Sequence, residues 1–121
     1  MKHLTLKVAP ILALCVATAH ASTPSLTAGR TLYREHCMSC HRADGRGGVR
    51  FSHSVSADLR APGLERTYRH QDKLIERAIL MGRDQDDALL NPPMPHWTGR
   101  LDQRQVRDVV AYLHTLRAGR R

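Results

Sequence analysis

Large apolar side chains are scarce in this chain. Beyond the first 21 residues, which read as an export signal, only 19 of the remaining 100 are Leu, Ile, Val or Phe. Less than about a fifth of such residues, with appreciable net charge, is the composition of disorder, because too little apolar surface is buried to offset chain entropy. Either the chain does not fold alone, or something other than side chains fills its middle. Cysteine is short as well: there are three, and Cys15 lies in the export segment. Cys37 and Cys40 alone make no disulfide framework for a small exported fold. No apolar run reaches the ~20 residues of a permanent membrane span. With 121 residues a multidomain enzyme is excluded, and no internal repeat, low-complexity linker or strand pattern is present.

Lys2 and Lys7 form a positive start, Val8 to Ala17 is apolar apart from Pro10, and Ala19-His20-Ala21 offers the small-x-small pattern of a signal peptidase site. Cleavage after Ala21 is expected, leaving residues 22–121 as one domain in the periplasm. The bulky Leu14 before Cys15 argues against a lipid anchor there.

The spacing of Ala28, Leu32 and Tyr33 predicts a helix over Thr27–His36. Arg42 to Ser56, with Gly45, Gly47 and Gly48, predicts a wrapping loop. Leu74, Ile75, Ala78 and Ile79 share a helical face within 71–81, and Gly82 is placed to end that helix left-handed. Asp84 to Pro95 is too rich in Asp and Pro for regular structure. Asp102 and Gln105 form a capping box with Leu101 stapled to Val106, and the stripe Val106, Val109, Val110, Leu113, Leu116 predicts a last helix to about Arg117. The expected fold is all-α: three or more helices and long loops. Loops of such length in a small domain are expected only where they do something, and wrapping a large apolar ligand would account for them.

Between the first helix and the Gly-rich loop stands Cys37-Met38-Ser39-Cys40-His41. C-x-x-C-H is the attachment signature of haem c. Two cysteines three apart sit on one face of a single turn, where their sulfurs form thioethers to the two porphyrin vinyl groups, and His41 projects an imidazole to the iron. A thioredoxin-type pair would want a βαβ context, and a zinc site drawing on Cys37, Cys40, His41 and His36 has no second CxxC or HxxxH to complete it. Met94, in Asn91-Pro92-Pro93-Met94-Pro95, is the candidate sixth ligand, a thioether in a proline-stiffened loop. Met81 reads as core, Met38 faces away from the haem plane, and His53 and His96 stand as alternatives to Met94.

Along nearly its whole length beyond residue 21 the chain resembles a class I c-type cytochrome. The resemblance is carried by Ala28-Gly29 with Leu32-Tyr33, by CMSCH, by Ala61-Pro62-Gly63-Leu64, by Pro93-Met94-Pro95 with Trp97, and by Val106 to Leu113. It implies a cytochrome c-like fold around one covalent haem c, held by Cys37 and Cys40, with iron between His41 and Met94. It further implies that the terminal helices cross at Gly29 and Tyr112, and that the Pro62 carbonyl accepts from His41 Nδ1. Ala61 stands where the family often has glycine. Trp97 would donate its indole N–H to a haem propionate or serve as a packing aromatic, and Arg60 would pair with a propionate.

A haem closed on both axial sides leaves no room for substrate. The expected function is therefore one-electron transfer between periplasmic or membrane redox proteins rather than catalysis. Alternatives are a haem c subunit of a specific periplasmic oxidoreductase complex, and a gas- or peroxide-reactive protein with Met94 off the iron. Residues 22–121 hold 17 basic against 11 acidic residues, a formal +6. Arg42, Arg46 and Arg50, just past the motif, form an expected basic rim for acidic redox partners. An exported protein has no nucleic acid to bind.

Overall fold

Ser25 begins the first helix by accepting the Ala28 amide on its hydroxyl, while its own amide donates to Asp108 Oδ1 at 2.7 Å. The computed structural model describes residues 15–17 and 22–119; the expected cleavage site at Ala19-His20-Ala21 and the positive residues Lys2 and Lys7 lie outside them. Among the described residues five helices follow in order: α1 Leu26–His36, α2 Met38–His41, α3 Gly63–Thr67, α4 Asp72–Met81 and α5 Gln103–Leu113. No helix among the described residues is long and apolar enough to cross a membrane. Strand-like pairing is confined there to isolated bridges such as Arg50 with Val55 and Ala61 with Arg117.

α1 and α5 form the main helix contact. They approach so closely at Gly29 that a Cβ there would lie 1.9 Å from the Asp108 carbonyl oxygen and 3.0 Å from Tyr112 Cβ. Beside the crossing the Tyr33 and Tyr112 rings pack with centroids 5.4 Å apart, tilted by 56°. The atom in the way is backbone, so relief requires the two helices to separate. Gly29→Ala should therefore destabilise the fold at or above the roughly 1–3 kcal/mol typical of overpacked cores. A fall in the thermal midpoint of the holoprotein measures it; an unchanged midpoint would mean the helices sit further apart.

α4 ends at Gly82 in the left-handed region (φ 64°), with its amide on the Ala78 carbonyl, as the glycine's place at the end of the apolar stripe leads one to expect. α5 opens with the capping box of Asp102 and Gln105, and Leu101 and Val106 are both buried behind it. The helix stops at Leu113 rather than near Arg117. The chain beyond it leaves helical bonding to pair with Ala61, whose amide donates to the Leu116 carbonyl and whose carbonyl accepts the Ala118 amide.

The turn out of α5 is also held by His114. Its Nδ1 lies 2.8 Å from Glu65 of α3 and its Nε2 2.8 Å from Asp72 at the start of α4. Burial works against a charge on the ring, but hydrogen bonds to Glu65 and Asp72 and the charges of both carboxylates outweigh it, so the pKa rises above its ordinary value of 6.5. A proton bound more tightly in the folded state stabilises it most below the unfolded-state pKa, and that stabilisation fades as pH climbs through the raised one. The thermal midpoint of the holoprotein should thus fall on going from pH 6 to pH 9, and His114→Gln should flatten that slope. Parallel slopes for the two proteins would remove the clamp from the account.

Candidate haem site

α1 ends at His36, and α2 holds Cys40 and His41 one turn on, so the helix-to-helix step presents the cysteine pair and the histidine together. Cys37, Cys40 and His41 line one cleft of about 270 Å³, far larger than the space of a single water, so it is no packing defect. Leu64, Tyr68, Ile75, Ala78 and Ile79 give the cleft an apolar wall from α3, the residue beyond it and α4. Val109 and Leu113 reach it from α5, and Phe51, Val55, Pro93 and Met94 from the two long loops. Both thiols are free, and burial with Cys40 alongside pushes the Cys37 thiol up to about 11, so it stays protonated at neutral pH.

His41 is oriented by its neighbour loop. Its Nδ1 lies 2.9 Å from the Ala57 carbonyl. A carbonyl only accepts, so Nδ1 carries the proton and Nε2 keeps a lone pair for a metal. Burial lowers the ring's pKa, with the Ala57 bond opposing it, so the ring is neutral at neutral pH. The expectation that Pro62 supplies this carbonyl is corrected here: the Pro62 carbonyl accepts the Arg66 amide in the first turn of α3 instead. Gly47 lets the Ala57 segment come close, since a Cβ at that position would be 2.2 Å from the Ala57 carbonyl oxygen.

Met94 is half-buried and packed against the core at the cleft wall. His53 and His96 do not line the cleft, nor do Met38 and Met81. Trp97 is buried at 4% exposure, with the His36 ring 5.0 Å away and the Arg100 guanidinium 4.3 Å from its own ring centroid. It also lines the cleft, a placement that the propionate and the packing roles both require. The Arg60 guanidinium is occupied by Asp58 through two hydrogen bonds of 3.0 and 2.8 Å. His36 and Ala57 were not singled out as cleft residues by sequence. The adjacency of His36 to Cys37 was the available signal, whereas a backbone acceptor such as Ala57 leaves no side-chain mark.

The cytochrome c family model matches residues 26–117. The chain belongs to the cytochrome c family. Among curated relatives, this cytochrome is 27% identical over 95 residues to the Cbb3-type cytochrome c oxidase subunit CcoP of Azospirillum brasilense, covering 76% of this chain and 28% of that protein. It is 28% identical over 94 residues to the CcoP subunit of Cereibacter sphaeroides, covering 75% and 27%. It is 29% identical over 103 residues to that of Rhodobacter capsulatus, covering 77% and 30%. The chain thus spans under a third of the length of these relatives.

Membership of the family implies a covalent haem c, and the residues present fit one. Two free thiols, a neutral imidazole with its outer nitrogen fixed and its inner one available, and an apolar cleft meet in one place. Cys37 and Cys40 would hold the haem through thioether bonds, with His41 offering its free nitrogen to the iron. The domain's chemistry is haem-based electron transfer.

Proposed function

We propose that this cytochrome is a periplasmic one-electron carrier whose iron is held between His41 and Met94, passing electrons between periplasmic or membrane redox proteins. The observation that carries the reading is the cleft's ligand set: among the described residues Met94 contributes the one methionine thioether on its lining, and His41 the imidazole already oriented by Ala57. Bound there, the haem supplies a reversible one-electron change at iron. The chain's part would be to offer His41 and Met94 as the two side-chain ligands and to exclude water behind Leu64, Ile75, Ile79 and Leu113. A site that changes little between oxidation states exchanges electrons without bond-making. Removal of the leading residues at Ala21 and export to the periplasm belong to the same proposal, supported by Lys2, Lys7 and the Ala19-His20-Ala21 pattern.

A basic rim supports acidic redox partners, though narrower than three free arginines. Arg46 lies 3.8 Å from Asp44, and Arg42 Nε donates to the Gly47 carbonyl at 2.7 Å. Arg50 has no such partner among the described residues and flanks Phe51 at the cleft. Electron exchange between the reduced holoprotein and an acidic redox protein should slow as salt rises from ~0.01 to ~0.3 M, because screening shortens the reach of the charges. A flat or rising rate would refute acidic docking.

The curated relatives are oxidase subunits by name, which supports a second reading, a haem c subunit of a specific periplasmic oxidoreductase complex. Purification from its native source separates the two: a carrier comes away alone, a subunit in fixed ratio with its partners.

A further inference from the structure

The loop that carries Met94 is fastened unequally. On one side it is bound to the end of α4, whose last carbonyls have no partners within the helix. Leu90 donates its amide to the Gly82 carbonyl at 2.8 Å, Trp97 to Ile79 at 3.2 Å and Thr98 to Leu80 at 3.1 Å. The Thr98 hydroxyl adds a second bond to Leu80 at 2.7 Å. On the other side the loop faces residues 50–56 across the cleft mouth, and there a single hydrogen bond joins them among the described residues: Ser54 Oγ donates to the Pro92 carbonyl at 2.8 Å.

Ser54 is itself held in place. Phe51 donates its amide to the Ser54 carbonyl at 2.8 Å, and Arg50 pairs with Val55 across the same tight loop. On the far side Met94 donates its amide to the Asn91 carbonyl at 3.3 Å, closing a turn that contains Pro92 and Pro93. Proline rings fix their own φ, so residues 91–94 move as one piece. A bond to Pro92 therefore restrains Met94, two residues on. Without it, the described bonds would hold the turn only through its α4 attachment.

We propose that Ser54 is a positioning residue for Met94, a hydroxyl latch that closes the cleft mouth and slows departure of the thioether from iron. The proposal rests on Met94 being the sixth ligand. The latch is broken without touching any ligand, and its effect is read as access for an exogenous ligand.

The test is imidazole binding to the ferric holoprotein by stopped flow, for the wild type, Ser54→Ala, Ser54→Thr and Met94→Ala. At saturating imidazole the wild-type rate levels off at the rate of Met94 departure. Ser54→Ala should raise that limit about three- to ten-fold, the factor one net hydrogen bond supplies, and Ser54→Thr, which keeps the hydroxyl, should restore it. Met94→Ala should lose the limit and bind in proportion to imidazole. A Ser54→Ala limit within two-fold of wild type, or a Ser54→Thr limit that stays raised, overturns the latch while the Met94→Ala result leaves the ligand assignment standing. A Met94→Ala protein that keeps the wild-type limit overturns the ligand assignment and the latch with it.

Discussion

Cytochrome prepared without haem, with Cys37 and Cys40 both replaced by serine, should have little helical signal in far-ultraviolet circular dichroism and no cooperative melt. The reason lies in which side chains the core contains. Leu64, Tyr68, Ile75, Ala78, Ile79, Val109 and Leu113 all belong to the buried cluster, and all seven line the cleft as well. Without haem their inner faces look onto water. Full burial of a large apolar side chain is worth roughly 1.5–3 kcal/mol, so losing about a third of it at the six large ones removes on the order of 3–6 kcal/mol. A small domain has only about 5–15 kcal/mol of stability to lose. The scarcity of Leu, Ile, Val and Phe leaves no second core to compensate. A native-like helical spectrum that melts cooperatively would show that the side chains suffice by themselves.

Replacing Met94 by alanine should open the sixth position of the holoprotein. The variant should turn high-spin in the ferric state and bind carbon monoxide readily when reduced, whereas the wild type should do neither. Methionine opposite histidine raises the potential of a haem iron. Its loss should lower the midpoint by on the order of 0.1 V or more, within the ~0.8 V that axial ligation spans. Among the described residues none is poised to replace it, since His53 and His96 lie off the lining and the His36 ring is packed against Trp97. Optical and magnetic spectra of the two proteins, with potentiometry, decide the matter. An unchanged low-spin spectrum in Met94→Ala would place another side chain on the iron.

What was legible in the sequence were the features that act through side-chain type at fixed spacing. The stripe in α4 with Gly82 behind it, the Asp102–Gln105 box and the C-x-x-C-H turn all work locally, and the structure has them where the spacing puts them. The short helix α3 was less visible because it is only five residues long and is capped by Pro62 without a side-chain bond. The end of α5 was misplaced because its apolar stripe continues to Leu116, while the decision to stop is made elsewhere, by His114 meeting Glu65 and Asp72 and by Ala61 pairing with the following backbone. The family resemblance puts Pro62 opposite His41, whereas the structure puts Ala57 there. The acceptor is a main-chain oxygen, which any residue offers, so identity at position 57 or 62 says little about which of them folds over the imidazole.

The crossing of α1 and α5 joins Ser25 to Asp108, 83 positions apart in the chain. A contact between residues so far apart has to meet the loop-closure entropy of everything between them. Since the haem-free chain is expected to lack a stable core, α1 and α5 should meet durably only once the cleft is filled, and until then the two thiols stay open on the side that Val109 and Leu113 wall in.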